Sequence, residues 1–326
     1  MAILKKITYI YRILHSYLLP GASQLTFWHG TPEIHPSIRK DRVSYYYMKF
    51  HYKADYDGPV DSKGIPMLDY HGSIGKQYNP IAIAQWGLGN YNLFKSSGEN
   101  ANKEKVISAS DWLASNLEKN KFGIPVWMHK FDFEYFQTLQ APWYSGLAQG
   151  QGISLLIRAH QLTGEQKYID SANDAFKSLT LEIKDGGVLF IDENSNTWIE
   201  EYLVSPPTHI INGFIWALWG VYDLWVYTGN SQAKHLWDES LTTIQNHLHK
   251  YDNGFWSLYE LSQLQLKMIA SPFYHNLHIT QLKILAKLSQ IEEFDQIAER
   301  WKGYKSKFFN RNRALIQKLI FKLLYY

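Results

Sequence analysis

The stretch SPPTHIINGFIWALWGVYDLWVYTG, residues 205–229, decides how the rest of the chain is read. A double proline opens it and a glycine closes it. Between His209 and Thr228 only Asp223 carries a charge. Proline is favoured at a helix start, where its missing N–H would have no helical partner, and glycine just past a helix end, where it takes a left-handed conformation. A helix that is apolar on every side is a buried one.

The same construction recurs in APWYSGLAQGQGISLLIRAHQLTG (141–164) and SPFYHNLHITQLKILAKLSQ (271–290), with Pro142, Pro207 and Pro272 each 65 residues apart. A fourth copy, YNPIAIAQWGLGNYNLF (78–94), places Pro80 another 62 residues upstream. Gly98, Gly164 and Gly229 close the first three runs. A second segment follows each run, for example ANKEKVISASDWLASNLEKN (101–120) and SQAKHLWDESLTTIQNHLHK (231–250). Its apolar residues recur every three or four positions with charges between, the pattern of an outer amphipathic helix. The connecting stretches KFGIPVWMHKFDFEYF (121–136), DGGVLFIDENSNTWIEEY (185–202) and DNGFWSLYELSQLQL (252–266) alternate around glycine and read as β-hairpins.

Inner helix, outer helix and hairpin, repeated at a fixed period, make a helical-repeat protein. Repeating helical hairpins stack into a superhelix or close on themselves, and inner helices apolar all round favour closure. The expected fold is therefore mainly α: an (α/α) barrel or toroid of about four helical hairpins with inserted β-hairpins over residues 76–326. Residues 1–75 form an N-terminal helix and β-rich extension, with SYYYMKFHYKADYDG (44–58) alternating like a strand. Asp55, Asp57 and Asp61 resemble a calcium loop only loosely, and turn-forming Asp and Gly explain that stretch.

Composition narrows the function. The chain has 326 residues, 45% hydrophobic and 19% charged, with a net charge of only +3, so nothing calls for nucleic acid as a partner. There is no cysteine, which excludes disulfides, thiolate metal sites and a thiol nucleophile. The 12 Trp, 23 Tyr and 16 Phe are core material first, and flat surfaces for sugar rings second. No run is long enough to span a bilayer, and the N-terminus lacks a signal-peptide core, which suggests a cytoplasmic protein. Both termini read as basic amphipathic helices. Packing on the body of the protein is the first expectation for them, and a peripheral place at a membrane surface stays open, as does a homodimer.

In a barrel of this kind the hairpins and the N-termini of the inner helices collect at one end. Glu200, Glu201 and Tyr202 then lie at a concave mouth with Tyr144, His209 and Tyr274, each two residues past its proline. Helix N-termini present free N–H groups and positive dipole ends to a substrate carboxylate. No phosphate-binding glycine loop and no nucleophile elbow is present. Two carboxylates would suit glycoside hydrolysis; a glutamate with tyrosines would suit proton abstraction beside a carboxylate. His275 and His278, three apart, offer a metal site with His209 or, as the commoner outcome, hydrogen bonds; no metal and no cofactor are expected.

The blocks YNPIAIAQWGLGNY, WYSGLAQGQGISLLIRA, WIEEYLVSPPTHIINGFIWALWGVYDL, LYELSQ, YHNLHITQL and ERWKGY, in this order over about residues 76 to 304, resemble the C-terminal catalytic region of the D-glucuronyl C5-epimerases. That resemblance implies an (α/α) barrel of four helix pairs. It also implies C5-epimerisation of D-glucuronate to L-iduronate within a polysaccharide, without a nicotinamide cofactor. Glu201 and Tyr274 are similar to the residues that move protons on the two sugar faces, and Tyr202 and Tyr259 to tyrosines that complete the site. Trp86, Tyr144, Gln149, Arg158, His209, Asn212, His275 and His278 are the expected substrate contacts. Vertebrate members carry a basic residue where this chain has Ser262. A carboxylate ligand there would be missing, or supplied by Arg158, Lys130 or the helix N-termini. Without the β-rich N-terminal portion and membrane anchor of vertebrate members, the chain resembles a trimmed bacterial-type relative. A glucuronate-containing capsule or lipopolysaccharide is then as good a substrate as heparosan. A uronate lyase and a catalytically silent glycan binder remain the alternatives; the four site residues together speak against the binder.

Overall fold

Asn79, Ser145 and Ser271 each end an extended stretch and turn a side-chain oxygen onto the helix that follows. Asn79 accepts from the N–H groups of Ile81 and Ala82, Ser145 from Ala148 and Ser271 from Tyr274. These are first-turn donors that the helix itself leaves unpaired. A computed structural model describes residues 10–11, 13–17, 27–28 and 30–325 of the chain.

Among the described residues, a short α1 (His51–Ala54) is followed by three helical hairpins: α2 (Pro80–Ser97) with α3 (Asn100–Ser115), α4 (Gly146–Thr163) with α5 (Gln166–Phe176), and α6 (Ile211–Thr228) with α7 (Ser231–His247). Then come α8 (Pro272–Ser289), α9 (Glu292–Lys305) and α10 (Phe308–Tyr325). The class expected from the repeat, mainly α and of the (α/α) hairpin kind, is the class found. Every residue of α2 from Pro80 to Asn92, and of α4 from Gly146 to Ala159, is buried. Gly98, Gly164 and Gly229 adopt φ of 75°, 74° and 74°, and each N–H returns to a carbonyl of the last turn. The fourth end has no glycine; Gln290 takes the left-handed conformation itself at φ 63°.

The prolines mark helix starts less uniformly than their spacing suggests. Pro80 and Pro272 are the first residues of their helices. Pro142 stands ahead of the cap Ser145, and Pro207 ahead of Ile211, so these two belong to the entering turn.

The hairpins form as small antiparallel pairs. Strands β1 (Leu68–Asp69) and β2 (Lys76–Gln77) pair before α2. After α3 come β3 (Glu118–Lys119) with β4 (Pro125–Val126), and β5 (Met128–His129) with β8 (Trp143–Tyr144), the latter enclosing β6 (Phe133–Glu134) with β7 (Thr138–Leu139). Strands β9 (Leu189–Ile191) and β10 (Thr197–Ile199) pair before α6. Their turn is built by Asp192, which accepts from the N–H groups of Asn194 and Asn196, rather than by glycine. The third hairpin reduces to isolated bridges, Asp252 with Ser257 and Leu258 with Ile269.

The strand expected over residues 44–58 does not form. Tyr46, Tyr47, Met48 and Phe50 are all buried, without alternation, and α1 follows. Pairing is limited to an isolated bridge, Ile34 with Met48, and the side chain of Asn92 takes further backbone groups: its Oδ1 accepts from Tyr46 N at 2.7 Å and its Nδ2 donates to Met48 O at 2.9 Å. One residue thus satisfies backbone groups that a ladder would otherwise have to pair. Asp61, in the loop compared with a calcium site, accepts from its own loop at Lys63 N and Ile65 N, both 2.8 Å, and from Tyr78 Oη.

The chain divides into two compact units. One holds Glu33–Pro207 and Gly213–Thr243; the other holds Met1–Pro32, Thr208–Asn212 and Ile244–Tyr326. In the first, α4 and α6 cross on glycine. A Cβ on Gly150 would lie 2.3 Å from the Cα of Ala217, and one on Gly220 would lie 2.1 Å from the carbonyl oxygen of Gly150. Only glycine permits two backbones this close. In the second, α8 packs on α9 and α9 on α10, and Tyr17 donates to the Ala270 carbonyl at 3.0 Å. Residues 10, 11 and 13–17 are helical; the remainder of the expected N-terminal helix lies outside the described residues.

Candidate functional site

Strand β10 runs directly into Glu200, Glu201 and Tyr202, and the backbone around them is tied on both sides. Glu200 N donates to Val188 O and Gly146 N donates to Glu200 O, each at 2.9 Å. The second bond joins the end of the hairpin to the first residue of α4. A Cβ on Gly146 would lie 2.7 Å from that same carbonyl, so glycine is needed for the approach.

Glu200 is fully buried and Glu201 is 5% exposed. The Glu201 side chain lies against Gly213 at the start of α6, its Oε2 2.1 Å from where a Cβ of residue 213 would stand. Any side chain at 213 would therefore displace the carboxylate. Buried carboxylates are costly unless they are partnered or at work.

Tyr202 is half-buried in a wall of rings. Its ring centroid lies 4.9 Å from Tyr135, 5.6 Å from Phe133 and 5.9 Å from Trp143, all half-buried themselves. Trp143 is held from behind by stacking on His129 at 3.8 Å and by donating from Nε1 to Phe131 O. His129 is fully buried, and that burial lowers its pKa to about 3, so it is a neutral packing surface. Phe133, Tyr135 and Trp143 were not among the residues singled out from sequence. The signal of Phe133 and Tyr135 was present in the aromatic alternation of KFDFEYF, and Trp143 stands in APWYSG, but neither stretch says which rings converge on Tyr202.

Of the expected contacts in this unit, Tyr144 donates from Oη to Gly186 O at 3.1 Å, and burial raises its pKa. Gln149 is fully buried and spans the gap between α4 and the strands. It accepts from Trp127 N and donates to Trp127 O and Ser145 O. Trp86 is buried in α2 at 6% exposure. Lys130 pairs at the surface with Glu118, at 2.6 Å. Arg158 is fully buried, with Nη1 2.6 Å and Nη2 3.2 Å from the carboxylate of Asp223, and Nη1 also donates to Ser154 O. Tyr47 donates to Asp223 at 2.6 Å, and the rings of Tyr46, Tyr47 and Tyr91 surround the guanidinium. Burial, the largest influence, pulls the Arg158 pKa down; the charge and hydrogen bonds of Asp223 together with Tyr47 and Tyr91 more than offset it and leave the pKa above its ordinary value. Its charge is engaged by Asp223 inside the core.

In the other unit, Tyr259 and Tyr274 meet edge to face at 4.8 Å between ring centroids. Tyr274 stands in the first turn of α8, where its N–H is held by Ser271. Tyr259 N donates to Met268 O at 2.8 Å, next to the Leu258–Ile269 bridge. Tyr259 is buried at 7% exposure and Tyr274 is half-buried. Glu260 beside them is buried at 1%, and Ser262 at 3%, with no partner for its Oγ among the described residues.

Behind the tyrosines, Ser257 links two buried histidines. His275 Nδ1 accepts from Ser257 N at 3.2 Å and lies 2.8 Å from Ser257 Oγ, while its Nε2 donates to Trp301 O at 2.9 Å. His278 Nδ1 lies 3.0 Å from the same hydroxyl. The consistent assignment is a chain in which His278 donates to Ser257 and Ser257 donates to His275. Burial lowers the pKa of His275 to about 4 and that of His278 well below its ordinary value, so both are neutral. His209 takes a left-handed φ of 50° and its carbonyl accepts from Tyr251 Oη at 2.6 Å; the carbonyl of Asn212 accepts from Gln281.

Residues 119–303 match the family described as D-glucuronyl C5-epimerase C-terminus. A D-glucuronyl C5-epimerase of Caenorhabditis elegans is 31% identical over 212 residues, which cover 60% of this chain and 34% of the relative. The chain thus spans about a third of that relative's length. An uncharacterised protein of Methanocaldococcus jannaschii is 29% identical over 264 residues, covering 74% of this chain and 84% of its own. Among solved structures, an unsaturated glucuronyl hydrolase specific for heparin aligns with a TM-score of 0.47 at 10% identity, over 99% of this chain and 83% of that one. An unsaturated glucuronyl hydrolase from Bacillus sp. GL1 aligns with a TM-score of 0.43 at 14% identity, over 73% and 60%.

Proposed function

The chain belongs to the D-glucuronyl C5-epimerase C-terminal family, and on that premise we propose that it epimerises D-glucuronate to L-iduronate within a polysaccharide. The observation that carries the reading is Glu201, a carboxylate almost withdrawn from water, seated on Gly213 next to a partly open wall of aromatic rings. Rings of this kind stack on sugar faces. A carboxylate held in a fixed place beside them suits proton transfer to or from a sugar carbon.

The reaction removes the C5 proton of a uronic acid residue, leaving an enolate-like carboxylate, and returns a proton to the opposite face. It needs one proton-transfer group for each face and a field that tolerates the developing negative charge. Glu201 and Tyr274 carry the two transfers in this proposal, with Tyr202 and Tyr259 completing the set. Tyrosine titrates near 10 in water, which suits Tyr274 to giving a proton to a carbanion. No nicotinamide cofactor and no metal enters these steps. With Arg158 engaged by Asp223 and Lys130 by Glu118, the substrate carboxylate falls to backbone N–H groups at helix entrances.

Incubation with heparosan and other glucuronate-containing glycans in heavy water, read by NMR, tests the proposal. Deuterium at C5 together with iduronate signals is expected. An unsaturated uronate product would make the protein a lyase that shares the first step, and binding without exchange on any glycan would make it a binder.

A further inference from the structure

The terminal helix α10 is amphipathic in the reverse of the usual sense. Its lysines turn inward: Lys318 is buried at 7% exposure and donates to Ile269 O at 2.7 Å, and Lys322 is half-buried. Ala314, Leu315 and Phe321 share that inward side. Outward go Phe309 at 84% exposure, Ile316 at 57%, Ile320 at 46% and Leu323 at 51%. Their spacing of seven, four and three residues places them in one stripe along the helix. Solvent gains nothing from such a stripe. Contiguous exposed apolar surface on a folded protein marks a place where something binds.

Charge selects the occupant. No Asp or Glu follows Glu299, while Lys305 and Lys307 stand exposed just before α10 and Arg313 is exposed within it. A second copy of the same helix would set like charges against one another. An anionic lipid surface answers both features: its headgroups attract the lysines and its acyl boundary takes the stripe. No helix of the described residues is long and apolar enough to cross a membrane, so the contact is one of lying on the surface. We propose that α10 docks the protein on an anionic membrane surface through Phe309, Ile316, Ile320 and Leu323. This holds whether or not the enzymatic reading does, since none of these residues belongs to the candidate site.

The test is co-sedimentation of the full chain with phosphatidylglycerol–phosphatidylcholine vesicles and with pure phosphatidylcholine vesicles. Partitioning at least tenfold stronger to the anionic vesicles, weakened by salt, is expected. The combined variant Ile316→Ser, Ile320→Ser, Leu323→Ser is expected to lose it at least tenfold with an unchanged melting temperature. Lys305→Glu with Lys307→Glu, which leaves the stripe intact, is expected to weaken only the anionic component. Absence of sedimentation, or equal sedimentation with both vesicle types, overturns the proposal. So does a concentration-dependent dimer, seen by light scattering and abolished by the serine variant, because the stripe would then belong to a second copy.

Discussion

The two units bury ionisable groups by different means. In the first, Arg158 and Asp223 form a closed pair, both at 0% exposure, and Tyr47 satisfies a carboxylate oxygen as well. In the second, buried nitrogen bases are held by neutral hydrogen-bond partners. His275 and His278 share one serine hydroxyl, and Lys318 donates to a carbonyl. A paired charge keeps its ionisation, whereas a base held by neutral partners gives up its proton more readily. Burial accordingly lowers Lys318 to about 8 and His275 to about 4. The first unit also holds a neutral buried base, His129, so a response to pH is expected of both.

The largest effects belong to chemistry. Glu201→Gln and Tyr274→Phe are each expected to lower C5 exchange by about 10²–10⁴-fold, the usual worth of a proton-transfer group. Glycan binding should stay within a few fold. Full activity in either variant would remove that residue from the mechanism. Gly213→Ala moves the Glu201 carboxylate without removing it and is expected to cost about 10²-fold, the scale of a misplaced catalytic group. Wild-type rates with Gly213→Ala would mean that Glu201 tolerates displacement.

Stability comes next. Arg158→Met leaves Asp223 buried without its cation and is expected to cost about 3–5 kcal/mol, read by denaturant unfolding. Adding Asp223→Leu to that variant should recover part of the loss; a double variant worse than the single one would contradict the pairing account.

The pH response follows from the lowered histidine pKa values. His275 at about 4 and, in the first unit, His129 at about 3 bind protons less readily when folded than the ordinary value near 6.5 for the unfolded chain. Below pH 6.5 the unfolded chain takes up more protons, so stability falls as pH falls toward 4 and is fully present above 6.5. Each buried imidazole contributes on the order of 1 kcal/mol per pH unit in that window. A melting temperature that is flat between pH 7 and 5 would show that these imidazoles are wet. Smallest is Gln290→Gly, which relieves a left-handed non-glycine residue and is expected to stabilise by under about 1 kcal/mol.

Much of the fold was written in local chemistry. The proline and glycine spacing, the apolar inner runs and the amphipathic outer ones placed every helix pair, because a helix long enough to bury must be apolar where it is buried. The failures have equally local causes. Residues 44–58 looked like a strand because tyrosine and phenylalanine favour strands, yet their backbone is shared between one isolated bridge, Ile34 with Met48, and the side chain of an asparagine from α2. Pro142 and Pro207 mark helix starts only approximately, each standing four residues ahead of its helix (146 − 142 and 211 − 207). The candidate site was legible in its parts: Glu201, Tyr202, Tyr259 and Tyr274 came from pattern and resemblance. That Tyr259 meets Tyr274, and that Phe133, Tyr135 and Trp143 meet Tyr202, did not.

By itself the sequence determined the fold class, the helix boundaries to within a few residues and the family, all of which depend on neighbours along the chain or on long ordered blocks. Tertiary structure alone decided which buried groups are paired. It seated Glu201 on Gly213, closed Arg158 onto Asp223, and turned the lysines of α10 inward while leaving its isoleucines outside. The physical reason is that burial and pairing are set by residues far apart in the chain, and a side chain's charge or acidity is a property of what it touches.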